Sequence, residues 1–423
     1  MASLLPNDVN AASRPVRGGR YEWTMTWLFF GCFGFVFLDR LAVSFLLPLI
    51  TSDLKINNQQ VGYIGLVTTG AYAISAIVFG ALSDRSGKRK AWLIPFVLIT
   101  GIFSGAGVFV HSFPQLLLVR GIVGIGEGPL WPLMMAMLSN VSSENRFGRN
   151  SGITNVGVGV IAVTLGPIFI TQLVQFASWQ MTFLLSSIPT FIICALMIIF
   201  IKEQPFQVAR DKVKGAGLAG LGAIAELLKI RNVIICMLIC IGSMAGYWTL
   251  MLFAPLYLTE VAHVSVAKMG LISSLMGILY IAYSYAVPRL SDSWGRKPIL
   301  IIFYVLCTIA PLAMFLFRGS SSSVILYVIF GGVPGAMSPL FMILIPMETV
   351  PDRLKATAQG LIMGTGEFIG GALFPVFAGY IADKQGLPFM MGIAAIMLAI
   401  DVLLGFTLVE THRRKKRAVA AVA

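Results

Sequence analysis

Four ionisable residues lie inside apolar stretches of this 423-residue chain. Asp39 and Arg40 are adjacent in the first stretch, and Arg120 and Glu127 share the fourth. Ionised groups are costly inside a bilayer, so we expect them to face a partner charge or a water-filled cavity and to serve a function. An arginine offers a fixed fork of donors to a carboxylate, and a carboxyl can carry a proton. These residue types predict a site that binds an anion and handles protons.

The spacing of these residues predicts their directions. Because a helix turns by about 100° per residue, Arg120 and Glu127 share one face, roughly 10 Å apart. Gly124 lies between them on the same stripe and leaves room for a ligand or for a close helix. Asp39 and Arg40 are neighbours and point about 100° apart, which favours different roles for the two side chains.

The composition indicates which elements carry the site. Hydrophobic residues make up 57% of the chain and charged residues 12%, which is typical of a polytopic membrane protein and unlike a soluble domain. Twelve apolar stretches have the length of about 20 residues that a helix needs to cross a bilayer. We therefore predict an all-α membrane protein with twelve transmembrane helices.

The basic residues are distributed unevenly across the membrane. When the loops are assigned to alternate sides, 25 of the 31 Lys and Arg residues fall on the side of the amino terminus. This bias is the positive-inside pattern, so the net charge of +13 predicts membrane topology and no nucleic-acid partner. Both termini are expected in the cytoplasm, with the basic run 413–417 near anionic headgroups. The short loops favour a bacterial inner membrane.

The chain contains an internal repeat. The segment 80–90 recurs in reduced form at 291–297, and several other positions keep the same step of 207 or 208 residues. An even number of helices in each repeat predicts two parallel halves, with the substrate site between them near the membrane midplane. The predicted divisions are a cytoplasmic tail at 1–20, a six-helix bundle at 21–201, a cytoplasmic linker at 202–231, a second six-helix bundle at 232–410 and a basic cytoplasmic tail at 411–423.

The loop after the second helix resembles a known transporter signature. The segment 80–90, GALSDRSGKRK, matches the major facilitator superfamily pattern G-x3-D-[RK]-x-G-x-[RK]-[RK]. With twelve helices in two repeats, the resemblance covers nearly the whole chain and implies the major facilitator fold. The acid and the cations in this loop predict a charged latch that holds the cytoplasmic side shut in one state. The predicted latch residues are Gly80, Asp84, Arg85, Gly87 and Arg89, with Asp292 and Arg296 in the second half.

Two segments resemble the anion:cation symporter family, which includes sugar-acid transporters and vesicular glutamate transporters. They are 37–43, FLDRLAV, and 120–132, RGIVGIGEGPLWP. The resemblance implies that Arg40 and Arg120 bind the substrate carboxylate and that Asp39 and Glu127 carry coupling protons.

Further residues extend the predicted site. Glu367, among glycines of the eleventh helix, is a candidate for proton coupling. Tyr247 and Trp248 of the seventh helix can lie across the carbon skeleton of a ligand, and Asn155 near the start of the fifth can bind a substrate hydroxyl. Asp401 of the twelfth helix is expected to be a peripheral or interface residue outside the cavity. The mainly aliphatic helices disfavour strongly polyhydroxylated substrates.

The predicted function is a proton-coupled symporter of a small organic anion, a carboxylate, that works as a monomer by alternating access. Three alternatives stay open: a spinster-like lysolipid transporter, a drug/proton antiporter and a non-transporting anion sensor. No cofactor, metal site or disulfide is expected, because all five cysteines fall in apolar stretches as packing residues. An enzyme is not expected, since no nucleophile with a base and no phosphate-binding loop is found.

Overall fold

Twelve helices long and apolar enough to cross a membrane are present in the computed structural model, which describes residues 19–86, 88–203, 218–351 and 354–411. Long apolar stretches become helices because a helix satisfies its own backbone hydrogen bonds in lipid. The predicted number of transmembrane helices is confirmed. The spans are α1 (Arg20–Leu54), α2 (Asn58–Gly80), α3 (Arg89–Phe109), α4 (Phe113–Val141), α5 (Arg146–Phe176), α6 (Trp179–Phe200), α7 (Arg231–Glu260), α8 (Val266–Trp294), α9 (Arg296–Leu316), α10 (Ser321–Thr349), α11 (Thr357–Gln385) and α12 (Leu387–Thr407).

The helices form two six-helix bundles with the same internal packing. In the first, α1 packs against α5 and α6; in the second, α7 packs against α11 and α12. The bundles meet where α2 contacts α11, α5 contacts α8 and α1 contacts α7. A further helix, Leu218–Leu227, lies in the predicted linker. The exact domain boundaries stay a prediction, and the tails 1–18 and 412–423 lie outside the described residues.

Glycines allow the two bundles to approach closely at the helix ends farthest from the chain termini. A Cβ atom at Gly62 of α2 would lie 2.5 Å from the carbonyl oxygen of Pro375 in α11. A Cβ atom at Gly270 of α8 would lie 2.8 Å from the carbonyl oxygen of Pro167 in α5. The two contacts are equivalent in the repeat, because Gly270 follows Gly62 by 208 residues and Pro375 follows Pro167 by the same step.

Hydrogen bonds join the bundles at the same end. The backbone amides of Asn58 and Gln59 donate to the carboxylate of Asp383 at 2.8 and 2.9 Å. The amide of Ile168 donates to Ser274 Oγ at 3.3 Å. These contacts close the side of the protein that lies opposite the start of α1.

Open space lies beside several glycines near the other ends of the helices. A Cβ atom at Gly80, Gly152, Gly360 or Gly364 would meet nothing within 4 Å. The four glycines belong to α2, α5 and α11, which contact the opposite bundle at their far ends. These four positions lack the close contact between bundles that is found at Gly62 and Gly270.

Three helices contain wide π-helical segments, at Val158–Leu165 in α5, Leu340–Leu344 in α10 and Gly366–Leu373 in α11. Such turns are rare and frequently occur at functional sites. The segments in α5 and α11 are related by the 208-residue step. The segment in α11 carries Glu367.

Candidate substrate and proton site

Arg40 lies in the interface between the two bundles. Its Nη1 contacts Glu127 Oε2 at 3.5 Å, and its Nη2 donates to Thr69 Oγ1 at 3.0 Å. Its guanidinium lies 4.8 Å from the ring centre of Tyr72 and 4.7 Å from that of Trp248. Such cation–π contacts contribute about 0.5–2 kcal/mol each. Because Trp248 belongs to α7, both bundles hold this arginine.

A small cavity opens beside Arg40. Its wall comes from α1 and α2 on one side and from α7 and α11 on the other. Arg40 and Trp248 contribute to the two sides, together with aliphatic residues such as Leu252 and Pro375. The cavity lies between the bundles, where the internal repeat predicts the substrate site.

Asp39 points away from this cavity into the first bundle. Its side chain is fully buried, and its Oδ2 accepts a hydrogen bond from Thr190 Oγ1 of α6 at 3.0 Å. Its Oδ1 has no hydrogen-bond partner among the described residues. Asp39 and Arg40 therefore face different neighbours, in keeping with the angle between adjacent helical positions.

Arg120 lies behind the cavity and is not part of its described wall. It is 1% exposed, its Nη1 donates to the backbone carbonyl of Asp39 at 3.3 Å, and its guanidinium lies 4.3 Å from the ring centre of Phe183. Its Nε and Nη2 have no partner in the described part of the chain. Unfilled buried donors are costly, so Arg120 is suited to receive an anionic partner. Direct contact with a substrate requires a different conformation.

Glu127 lies close to both arginines. Its Oε2 pairs with Arg40, its Oε1 has no described hydrogen-bond partner, and it interacts electrostatically with Arg120. Gly124 does not leave a ligand space beside it, because a Cβ atom there would overlap the carbonyl oxygen of Thr68. Of the two uses expected for this glycine, close packing of α4 on α2 is the one found.

Glu367 approaches the cavity from α11. Trp248 Nε1 donates to Glu367 Oε2 at 3.0 Å. A Cβ atom at Gly371 would lie 2.8 Å from Trp248 Cδ1 and 2.9 Å from Glu367 Oε2, so glycine is required beside this pair. Trp248 thus links Glu367 of α11 to Arg40 of α1.

The other two predicted substrate contacts are not part of the described cavity wall. Tyr247 is partly buried against α10, where a Cβ atom at Gly335 would lie 2.6 Å from its Cε2. Asn155 is exposed and lies one helical turn before Gly159, where α5 approaches Tyr280 of α8. The structure does not bring Asn155 to the cavity wall.

Several neighbours of the charges were missed by sequence reasoning. Thr69 and Tyr72 of α2 hold Arg40, and Thr190 and Phe183 of α6 hold Asp39 and Arg120, as the contacts above show. They are uncharged residues in apolar helices. The one available signal is the three-residue spacing of Thr69 and Tyr72, which places them on one helix face.

The predicted latch residues of the first bundle are partly described. Arg89 Nη1 donates to the carbonyl oxygen of Ala136 in α4 at 2.7 Å, a contact within its own bundle. Gly80 borders open space. Gly87 and the side chains of Asp84 and Arg85 lie outside the described residues. The latch stays a prediction.

In the second bundle, Arg296 is held by two carboxylates. Its Nη1 lies 2.6 Å from Asp292 Oδ1 and its Nη2 lies 2.7 Å from Glu348 Oε1 in α10. The side chain of Asp292 is 65% exposed, so its pair with Arg296 is expected to contribute little to stability. These contacts also lie within one bundle.

The two bundles share a local structure that the sequence motifs did not reveal. Glu203 accepts hydrogen bonds from two backbone amides at the start of α3, at 3.1 and 3.0 Å. Glu410, related to it by a step of 207 residues, accepts from two amides at the start of α9, at 3.0 and 3.1 Å. A carboxylate at a helix amino terminus satisfies amides that have no partner in the helix.

The sequence model of the Major Facilitator Superfamily matches residues 29–375. This chain belongs to the Major Facilitator Superfamily. It is 25% identical to a probable 4-methylmuconolactone transporter of Cupriavidus pinatubonensis, over 89% of this chain and 87% of that protein. It is 27% identical to a hexuronate transporter of Bacillus subtilis, over 83% of this chain and 85% of that protein.

A solved structure shows the same fold. The bacterial homolog of the human lysosomal transporter Spinster, in an inward-facing and unoccupied conformation, aligns with a TM-score of 0.77 at 16% identity. The match covers 92% of this chain and 97% of the Spinster homolog. With its twelve spanning helices and its family, this chain is an integral membrane transporter.

Proposed function

We propose that this transporter is a proton-coupled symporter of a small organic anion, a carboxylate, that works by alternating access. The position of Arg40 carries the proposal. Arg40 lies at the cavity between the bundles, and its contact with Glu127 is long, at 3.5 Å. A substrate carboxylate that approached the guanidinium would make shorter, charge-assisted hydrogen bonds.

Competition for Arg40 supplies the proton coupling. When a substrate carboxylate takes the guanidinium, Glu127 loses its closest cation while it stays buried. A buried carboxyl without a cation is stabilised by taking up a proton. Anion binding and proton binding therefore favour each other, which is the requirement for symport.

Arg120 and Asp39 support this exchange from inside the first bundle. Arg120 interacts electrostatically with Asp39 and with Glu127. Its two unfilled donors allow it to follow whichever carboxyl is deprotonated. We assign Glu127 to proton exchange at the cavity and Asp39 to a second, more enclosed proton position.

The relatives support an anionic substrate. One is named for hexuronate and another for 4-methylmuconolactone. We place both termini in the cytoplasm of a bacterial cell, from the charge bias of the loops. In that orientation, the close contacts of Gly62 and Gly270 lie on the external side of the membrane. The transporter functions as a monomer in this proposal.

A ligand screen tests the proposed function. The purified protein is heated with aliphatic, hydroxylated and aromatic carboxylates, a lysolipid and a cationic drug, beside the variant Arg40→Gln. A ligand at one hundred times its dissociation constant adds about 2.7 kcal/mol to the free energy of unfolding. We expect at least one carboxylate to stabilise the natural protein and to leave the variant unchanged. Stabilisation by the lysolipid or the drug alone would overturn the proposal.

A further inference from the structure

We infer that the substrate is a compact, apolar monocarboxylate, rather than a polyhydroxylated acid or a dicarboxylate. The inference rests on the proposed function and narrows its substrate class. It comes from the chemistry of the cavity wall beside Arg40.

The cavity wall offers few hydrogen-bonding groups to a substrate. Apart from Arg40 and Trp248, the polar side chains in its described lining are the hydroxyls of Ser44, Thr68 and Thr69. The hydroxyl of Thr68 donates to the carbonyl oxygen of its own helix at 2.8 Å, and that of Thr69 accepts from Arg40 at 3.0 Å. The indole N–H of Trp248 is already bonded to a carboxylate. The donors of Thr68 and Trp248 are therefore in use, which leaves the hydroxyls of Ser44 and Thr69 as the side-chain donors of the described wall other than Arg40.

A substrate hydroxyl beyond those that Ser44 and Thr69 can bond gives up its hydrogen bonds to water without replacing them. The expected loss is about tenfold in affinity for each unpaired hydroxyl. A sugar acid carries several hydroxyls, so it is strongly disfavoured. An apolar body of similar size incurs no such loss and gains from leaving water.

The second bundle supplies an apolar surface for that body. The ring of Trp248 lies opposite Arg40, and Leu252 and Pro375 continue the same side of the cavity. Ile64 of α2 adds an aliphatic side chain from the first bundle. A carboxylate at Arg40 would thus place its carbon skeleton among aromatic and aliphatic groups.

The charges around the cavity fit one substrate carboxylate. Arg40 is the cation in the described wall, and Arg120 lies behind it. On the second-bundle side, Glu367 lies close enough to interact electrostatically with Arg40. A second substrate carboxylate directed towards α7 and α11 would meet this acid and no cation of the described wall.

Three six-membered-ring acids test the inference on the full-length purified protein by isothermal titration calorimetry. Cyclohexanecarboxylate and glucuronate share one carboxylate and a six-membered ring and differ in their hydroxyls. Cyclohexane-1,4-dicarboxylate adds a second carboxylate to the same apolar ring. We expect cyclohexanecarboxylate to bind at least about 100-fold more tightly than either of the others.

Two outcomes would overturn the inference. If glucuronate or the dicarboxylate binds as tightly as cyclohexanecarboxylate, the substrate class is wrong while an Arg40-dependent anion site survives. If none of the three binds, the inference also falls. The proposed function itself fails in a different way: no carboxylate would then stabilise the natural protein against heating while leaving Arg40→Gln unchanged.

Variants at Leu252 sharpen the test. Leu252→Asn adds an amide to the wall and is expected to narrow the preference for cyclohexanecarboxylate over glucuronate by about tenfold. Leu252→Met keeps the wall apolar and should keep the natural preference. Ile64→Asn places an amide on the first-bundle side of the wall, should narrow the preference in the same direction, and serves if Leu252→Asn does not fold. An unchanged preference in both amide variants would contradict the inference.

Discussion

At the centre of the first bundle, α1 and α4 carry Arg40 and Arg120, whereas the positions related by a step of 207 residues in α7 and α10 carry Tyr247 and Tyr327. The two tyrosines pack inside the second bundle, Tyr327 at 2% exposure. Two helices in equivalent places thus carry cations in one bundle and neutral rings in the other.

The carboxyls follow the same division. Asp39 and Glu127 correspond to Gly246 and Pro334 at the same step. Gly246 packs tightly against α12, where a Cβ atom would lie 2.7 Å from Leu398 Cγ. The first bundle is therefore suited to hold the substrate charge and the proton. The second bundle contributes an apolar wall. Its Trp248 contacts the Arg40 guanidinium through the ring and donates a hydrogen bond to Glu367.

The largest expected effect is the loss of the central cation. Arg40→Gln removes the partner of Glu127 and of the substrate carboxylate, so anion affinity should fall by about 100-fold or more. Isothermal titration calorimetry measures this affinity, with the carboxylate that stabilises the natural protein most in the screen. Arg289→Gln, which removes an exposed arginine bonded to Tyr285, is the control and should bind normally. Normal binding in Arg40→Gln would contradict the charge division between the bundles.

Two carboxyl variants compare the bundles directly. Glu127→Gln should keep exchange of substrate across a vesicle membrane and lose accumulation driven by a pH difference. The reason is that it removes the carboxyl that carries the exchangeable proton beside Arg40. Glu367→Gln should keep most of that accumulation, since its carboxyl is bonded to Trp248 and not to Arg40. Uptake into proteoliposomes with and without a pH difference measures both. The reverse result would assign the coupling proton to the second bundle.

A smaller effect is expected at the link between the bundles. Trp248→Phe keeps a ring near Arg40 and removes the hydrogen bond to Glu367, so affinity should fall by less than about tenfold. Trp248→Ala also removes the cation–π contact and should cost more. Equal affinities of the two variants would show that the ring does not stabilise the bound state.

The smallest effects concern two glycines of α11. Gly371→Ala places a Cβ atom against Trp248 and Glu367 and should lower the free energy of unfolding by about 1–3 kcal/mol. Gly364→Ala is the matched control, because its Cβ atom meets open space. It should be neutral or stabilising by up to about 1 kcal/mol. Thermal unfolding in detergent measures both, and equal melting temperatures would argue against a tight contact at Gly371.

Much of the fold follows from the sequence, because its signals are strong and repeated. The length of the apolar stretches predicts the twelve helices, and the constant step of 207 or 208 residues between motifs predicts two equivalent bundles. Directions within one helix also follow, as the different neighbours of Asp39 and Arg40 illustrate. Of the two positions expected for Asp401, peripheral or at a helix interface, the interface is the one found: it is fully buried, and a Cβ atom at Gly242 of α7 would lie 2.9 Å from its Oδ2.

The partners of the site residues could not be predicted in the same way. Helical periodicity gives the direction of Arg120, yet its distance from the cavity depends on how α4 packs against α1 and α6. The hydrogen bond from Thr190 to Asp39 spans 151 residues of sequence, and no local pattern connects them. The π-helical segment that carries Glu367 shifts the helical phase, so spacing rules for ideal helices do not apply there.

The π-helical segments of α5 and α11 also bear on the origin of the internal repeat. The first residues of the two segments are 208 positions apart, and so are their last residues. A shared irregularity at matching positions is expected if one six-helix sequence was duplicated within a single chain. The contacts of Gly62 with Pro375 and of Gly270 with Pro167 are likewise one contact made twice, once in each direction between the bundles. The charged centre of one bundle and the neutral centre of the other are then the differences within an otherwise repeated architecture.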